Sequence, residues 1–91
     1  MKTIEEKLSV LEPLILEITD DTNKHANHFT VVPGIITHLS IKIVSDQFLG
    51  LNKIARHRMV YNILQNDLRE YMHALSLKTL TIAEHNTLLH K

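Results

Sequence analysis

RHRMVY (56–61) begins the stretch of sequence that decides the fold, and this stretch continues to HALSLKTLT (73–81). After the basic start, apolar residues recur every three or four positions and polar residues fall between them. This spacing is typical of an amphipathic helix with one face on a protein core. The predicted core-facing set is Val60, Leu64, Leu68 and Tyr71, and the opposite set is Arg58, Asn62, Gln65 and Arg69.

At Ala74 the period of the pattern changes from that of a helix to two. Leu75 and Leu77 alternate with Ser76 and Lys78, as on the two faces of a strand. We therefore expect a strand over about 74–80, directly after the helix. Thr81 and Glu84 then have the spacing of a capping box, which predicts a short final helix ending near Leu89.

The N-terminal half predicts one helix and two strands. A capping box at Thr3 and Glu6 begins a helix that Pro13 ends. Alternation predicts strands over about 14–20 and 36–44, and Asn52 is a plausible cap for the main helix, which we expect to end near Tyr71. The predicted core faces of the two strands are Leu14, Leu16 and Ile18, and Leu39, Ile41 and Ile43.

These elements predict a single α+β domain over residues 1–91. Their order is α-β-β-α-β-α, with a three-stranded sheet and helices on one face. The first two strands are candidates for a hairpin, whereas the third must arrive after a helical crossover. A chain of 91 residues is long enough for one such domain and no more.

Composition excludes several classes of protein. The chain has no cysteine, so disulfides, thiol catalysis and cysteine-ligated metal are excluded. It lacks the hydrolase, P-loop, Rossmann and zinc-protease motifs and has only two glycines, which argues against an enzyme. No stretch approaches the roughly 20 apolar residues of a membrane helix, and the N-terminus is unlike a signal peptide. We expect a cytoplasmic protein.

Charge is balanced overall but unevenly placed. Residues 1–24 carry a net charge of −3, residues 42–58 carry +3, and the whole chain is neutral. The positive part includes Lys53, Arg56 and Arg58, with His57 between the two arginines. Such a cluster can contact phosphate, bind an acidic patch or form a solvated helix start. Arg56 and Arg58 can equally be structural, pairing with acids such as Asp46 or Asp67.

Seven histidines in a cysteine-free chain are unusual. His25 and His28 have H-x-x-H spacing in a long loop, where they could share an ion, although the spacing alone favours solvated side chains. His73 lies at the junction of helix and strand, where a contact with backbone is the ordinary interpretation. His85 and His90 in the tail are expected at the surface without a role.

The chain resembles the BolA family over roughly residues 4 to 85. The resemblance lies in RHRMVY (56–61), HALSLKTLT (73–81), LEITD (16–20), THLSIKIVSDQFLG (37–50) and a histidine-bearing loop with Pro33-Gly34. It implies a class II KH-like topology, with the same element order as above. The G-x-x-G loop with which standard KH domains bind nucleic acid is missing.

The resemblance also implies a function. In BolA-like proteins, the histidine of the H-A-L motif is a ligand of a [2Fe–2S] cluster shared with a monothiol glutaredoxin and its glutathione. That residue is His73 here, and the second ligand would come from the loop, where His25 is favoured and His28 is the alternative. The loop is a few residues longer than in most relatives. No cofactor is expected in the isolated protein, and His38 is expected to pack rather than to ligate.

The alternative implied by the resemblance is a DNA-binding transcriptional regulator of stress response or morphology. Its contacts with double-stranded DNA would come from Lys53, Arg56, His57 and Arg58. The two functions differ in their predicted partner, a glutaredoxin or a duplex, and they do not exclude each other.

Overall fold

The computed structural model describes residues 3–20, 38–70 and 74–89. In chain order these residues form helix α1 (Ile4–Leu8), strand β1 (Ile15–Asp20), strand β2 (His38–Val44), helix α2 (Lys53–Ile63), helix α3 (Gln65–Glu70), strand β3 (Ala74–Leu80) and helix α4 (Ile82–Leu89). Two 3₁₀ turns follow α1 and β2, at Ser9–Leu11 and Asp46–Phe48. The predicted order of elements is confirmed, with the main helix divided in two.

The strands form one mixed sheet in the order β1-β2-β3. β1 is antiparallel to β2, with Ile15 opposite Val44, so the predicted pairing of the first two strands is confirmed. β3 is parallel to β2, with Ala74 opposite His38. A parallel pair needs a crossover connection of a dozen or more residues, and the segment with α2 and α3 provides it.

One face of the sheet carries the hydrophobic core. In β2, Leu39, Ile41 and Ile43 are each at most 2% exposed, which confirms the predicted core face. Full burial of side chains of this size contributes about 1.5–3 kcal/mol each. The residues that cover this face from the helices and turns are Leu8, Leu11, Phe48, Val60 and Leu64.

The first strand is shorter at its start than the alternating pattern predicts. Leu14 was expected on the core face but is 60% exposed, because β1 begins at Ile15. Glu12 has a positive φ of 48° and Pro13 follows it, so the chain is still turning at this point. Alternation can place a side chain on a face only where the backbone is already extended.

The main helix does not run unbroken towards Tyr71. α2 ends at Ile63, and Leu64 leaves helical geometry with φ −99° and ψ 15° before α3 resumes. Residues 52–70 contain no glycine or proline, so local propensity does not indicate a break. Leu64 is completely buried, and backbone hydrogen bonds from Leu64 to Val60 and from Leu68 to Leu64 continue across the break, so the change in geometry is local. Tyr71 lies outside the described residues.

Candidate functional site

One end of the sheet joins the segments that carry the predicted cluster ligands. Asp20, the last residue of β1, is opposite Leu39, and Ala74, the first residue of β3, is opposite His38. Because Leu39 follows His38 directly in β2, the end of β1 and the start of β3 lie at the same end of the sheet. Two strand spacings, about 9–10 Å, separate β1 from β3.

The predicted ligands themselves, His25, His28 and His73, lie outside the described residues. Their points of attachment to the fold are described. His73 is bonded to Ala74, and His25 follows Asp20 by five residues. An extended chain spans at most about 3.6 Å per residue, so a segment of five residues can reach at most about 18 Å. The register therefore allows both segments to reach one site.

The donor atoms of the chain limit what such a site could hold. Within residues 3–20, 38–70 and 74–89, no three histidine, aspartate or glutamate residues form a group that could hold a metal ion. The chain has no cysteine, so it can offer an iron–sulfur cluster imidazole or carboxylate but no thiolate. These residues fit a cluster whose thiolate ligands come from another molecule.

Arg56, one of the four predicted DNA-binding residues, has internal partners for its guanidinium. Its Nε donates to the Leu51 carbonyl at 2.9 Å, and its Nη1 donates to the Thr79 carbonyl at 3.2 Å. Nη1 also lies 2.6 Å from Oε1 of Glu84. The guanidinium carbon is 5.9 Å from the ring centroid of Phe48, and only 12% of the side chain is exposed. Arg56 joins α2 to β3 and α4.

The acids that Arg56 and Arg58 were expected to contact have other partners. Asp46 accepts a hydrogen bond from the Ile82 amide at 3.1 Å, which ties the turn after β2 to α4. Asp67 accepts from Nζ of Lys7 at 2.7 Å, and its side chain is 8% exposed. The structural role of Arg56 is thus supported, but its predicted acidic partner was wrong.

Glu84 belongs both to this ion pair and to the N-terminal cap of α4. Its Oε1 accepts from the Thr81 amide at 2.8 Å, and the Thr81 hydroxyl accepts from the Glu84 amide at 3.2 Å. The predicted capping box is confirmed. Hydrogen bonding by Arg56 and then by the Thr81 backbone lowers the pKa of Glu84 to about 2. Glu84 is therefore ionised throughout the physiological range.

The other three residues of the basic cluster differ in their exposure to solvent. Lys53 and Arg58 are exposed on α2, whereas His57 is half-buried. Nε2 of His57 is buried and has no hydrogen-bond partner among the described residues. Burial, and secondly the charge of Lys53, lower the pKa of His57, which favours the neutral imidazole. Only Lys53 and Arg58 present exposed cations to a ligand from this cluster.

His85 and Glu84 differ most from their sequence interpretation. His85 is 7% exposed rather than at the surface, and His90 lies outside the described residues. Glu84 was predicted as a cap but not as the partner of Arg56. The capping box was the only signal for Glu84, because the ion pair joins positions 28 residues apart.

Known structures share this fold. The structure superimposes on the BolA domain of SufE1 from Arabidopsis thaliana with a TM-score of 0.76 and 41% identity, covering 89% of this chain and 90% of that one. BolA1 from Arabidopsis thaliana gives a TM-score of 0.76 at 37% identity, covering 92% and 98%. The architecture is that of a BolA domain.

The sequence leads to the same class. The family model described as BolA-like protein matches residues 8–84. The DNA-binding transcriptional regulator BolA of Escherichia coli (strain K12) is 40% identical over 82 residues, or 89% of this chain and 74% of that protein. The chain belongs to the BolA family, as the sequence motifs predicted.

Some relatives are much longer than this chain. SufE-like protein 1, chloroplastic/mitochondrial, of Arabidopsis thaliana is 41% identical over 86 residues, which cover 89% of this chain but 23% of that protein. The matched part of Protein BOLA1, chloroplastic, is 48% of its length. Among the helices of residues 3–20, 38–70 and 74–89, none has the length and apolar character needed to span a membrane.

Proposed function

We propose that this protein is a non-catalytic cytoplasmic adaptor that binds a monothiol glutaredoxin and shares a [2Fe–2S] cluster with it. The complex would serve iron–sulfur trafficking or iron sensing. The observation that carries the proposal is the register of the sheet. It attaches His73 and the segment containing His25 and His28 to one end, across β2. Membership of the BolA family supports the choice of partner.

His73 and one loop histidine, His25 before His28, would hold the cluster on the side of this protein. Imidazole is neutral, whereas thiolate carries charge, so mixed ligation of this kind raises the reduction potential above that of an all-thiolate cluster. The glutaredoxin and its glutathione would provide the thiolates. Because this chain has no thiolate to offer, it would hold the cluster only in the complex.

The test is to mix the protein with a cluster-loaded, glutathione-bound monothiol glutaredoxin and to record the visible circular dichroism spectrum. We expect a spectrum distinct from that of the glutaredoxin homodimer. His73→Ala should abolish the new spectrum, and only one of His25→Ala and His28→Ala should do the same. His90→Ala is the matched control and should leave the spectrum unchanged. An unchanged spectrum with His73→Ala would contradict the ligand assignment.

A second candidate function is the regulation of transcription through DNA binding. Two observations favour it: Lys53 and Arg58 are exposed on α2, and the Escherichia coli relative is named a DNA-binding transcriptional regulator. The internal contacts of Arg56 restrict the proposed phosphate contacts to Lys53 and Arg58.

This candidate predicts duplex binding that weakens steeply with salt. Lys53→Gln and Arg58→Gln should each reduce the salt slope of the affinity by about 0.9, the value for one phosphate contact. Arg69→Gln is the control, because Arg69 is exposed on α3 and lies outside the basic cluster. Absence of duplex binding at low salt, or an equal effect of the control, would exclude this surface.

A further inference from the structure

The sheet face opposite the core carries two adjacent lysines. Lys42 of β2 and Lys78 of β3 are directly paired in the parallel register. Both lie out of phase with the core residues Ile41 and Leu77, so they project to the same side. Like charges in this arrangement repel each other and destabilise the sheet. An anion placed between them would relieve that repulsion.

The protein neutralises this pair of lysines only in part. Oε1 of Glu17 is 3.8 Å from Nζ of Lys42, which is longer than a hydrogen bond, and the Glu17 side chain is 58% exposed. Such an exposed ion pair contributes at most about 1 kcal/mol. Among the residues that the structure describes, Lys78 forms no ion pair. The row Glu17–Lys42–Lys78 therefore has a net positive charge.

Hydroxyl groups form the next row of the same face. Thr19 is paired with Ser40, and Ser40 is paired with Ser76. This row is two residues from the lysine row, or about 6.6 Å along the strands. The two rows, together with Ile41 and Leu77 between them, line a concavity of about 290 Å³. Ammonium and hydroxyl groups can all donate hydrogen bonds, so the lining suits a ligand rich in acceptor oxygens.

The concavity has a boundary that limits the size of its ligand. The row on the other side of the lysines is apolar, formed by Ile15, Val44 and Leu80, and Val44 is completely buried. The cations therefore do not continue into the line that a nucleic-acid backbone would follow. A volume of about 290 Å³ is near the lower limit of small-molecule pockets.

We propose that this concavity binds a small phosphate-bearing anion between Lys42 and Lys78, with the Ser76 hydroxyl donating to one of its outer oxygens. A phosphate group has enough oxygens to accept from both ammonium groups and from Ser76 together. The site lies on the opposite face of the sheet from the α2 cations, and its position does not depend on the cluster proposal.

Pyrophosphate is the first probe. Its binding to the full chain is measured by the shifts of the amide and lysine NMR signals at constant ionic strength. We expect saturable shifts confined to the two rows that line the concavity, Glu17, Lys42 and Lys78, and Thr19, Ser40 and Ser76. Lys78→Gln should weaken binding about tenfold, as loss of one charge-assisted hydrogen bond does. Glu17→Gln should strengthen binding about threefold by removing the competing carboxylate. Arg69→Gln, at an exposed cation of α3, is the matched control and should bind as the unchanged protein does.

Further measurements distinguish a free phosphate from one carried by an organic group, and they test other ligands for this face. Tighter binding of adenosine diphosphate than of pyrophosphate would indicate a phosphate carried by an organic group, and equal binding would indicate the free anion; either result supports the site. Equal losses in Arg69→Gln and Lys78→Gln would overturn it as non-specific attraction. Tetraglutamate or a short duplex binding this face as tightly as pyrophosphate would overturn the preference for phosphate.

Lys78→Gln also has an expected effect in the absence of ligand. Lys78→Gln removes the repulsion from Lys42, so the ligand-free variant should be at least as stable as the unchanged protein. At one pyrophosphate concentration, the thermal midpoint should rise more for the unchanged protein than for the variant, which binds more weakly. Stabilisation of both by the same amount would contradict the proposal.

Discussion

At the scale of the residue, Arg56 is a cation that the fold uses internally. Its fork of donors reaches two carbonyl groups and the Glu84 carboxylate. The Phe48 ring lies within cation–π distance of the same group. A lysine has a single nitrogen and no planar fork, so it cannot reach these acceptors together.

Arg56→Lys should therefore destabilise the protein although it conserves the charge. The variant would leave the Leu51 or Thr79 carbonyl without its donor, and we expect a loss of about 1–3 kcal/mol in the free energy of unfolding. Urea denaturation measures this loss. Arg58→Lys, on the exposed side of α2, should change the free energy by less than about 0.5 kcal/mol. Equal effects of the two variants would show that the internal contacts contribute nothing.

Glu84 predicts a dependence of stability on pH. Its pKa in the folded protein is lowered to about 2, so it stabilises the fold at pH values above its ordinary pKa of 4.5. This contribution is lost as the pH falls from about 5 to 2. Because its side chain is 47% exposed, solvent screening reduces the contribution to about 1 kcal/mol.

Comparison with Glu84→Gln isolates this effect from that of the other carboxylates. The stability difference between the two proteins should be largest near neutral pH and should shrink as the pH falls to 2, as measured by urea denaturation at each pH. A difference that does not depend on pH would mean that the charge of Glu84 has no role.

The structure predicts that the charge of Lys53 affects the pKa of His57. Its pKa is lowered first by burial and secondly by Lys53. Lys53→Gln should raise the His57 pKa, and Arg69→Gln on α3 should not, as measured by NMR titration of the imidazole protons. Because the folded-state pKa is lowered, His57 stabilises the protein above its ordinary pKa of 6.5, and this contribution falls as the pH drops below that value.

At the scale of the element, local patterns predicted the helix starts and the strand faces. The caps at Thr3, Asn52 and Thr81 were found because a cap joins residues at most three positions apart. The core face of β2 was found because strand alternation has a period of two. Each of these patterns can be recognised within a few consecutive residues.

Contacts between distant elements have no such signal. Lys7 contacts Asp67, 60 positions away, and Arg56 contacts Glu84, 28 positions away. A cation and a carboxylate in a sequence do not reveal which pairs meet, so the acids chosen for Arg56 were wrong. The break at Leu64 was missed because no glycine or proline marks it in residues 52–70.

The cap of α4 is predicted to act through both of its hydrogen bonds. Thr81→Ala removes the hydroxyl that accepts from the Glu84 amide and should cost about 1 kcal/mol in the free energy of unfolding. Thr81→Ser keeps the hydroxyl and should retain most of the stability. Thr87→Ala, within α4, is the control for loss of a threonine hydroxyl. Equal losses for alanine and serine at position 81 would point to the methyl group instead.

At the scale of the whole molecule, the mixed sheet joins parts of the chain that are far apart in sequence. The antiparallel β1 ends, and the parallel β3 begins, at the same end of β2. Sequence motifs can identify His73 and His25 separately as candidate ligands. Only the register shows that the segments containing them attach to the same end of the sheet. The concavity of the proposed phosphate site also depends on the register of the sheet, since Lys42 and Lys78 become neighbours through the crossover of α2 and α3.

If His25 and His73 serve a single cluster, their substitutions should not be additive. Removing either histidine would break the shared site, so His25→Ala, His73→Ala and the double variant should lose the complex-specific visible spectrum to nearly the same extent. Independent contributions would instead add in free energy, as they do for distant residues without a common partner. The measurement is the affinity of each variant for cluster-loaded glutaredoxin, with retention of fold checked by urea denaturation. Additive losses in His25→Ala and His73→Ala, together with coupling between His28→Ala and His73→Ala, would assign the loop ligand to His28.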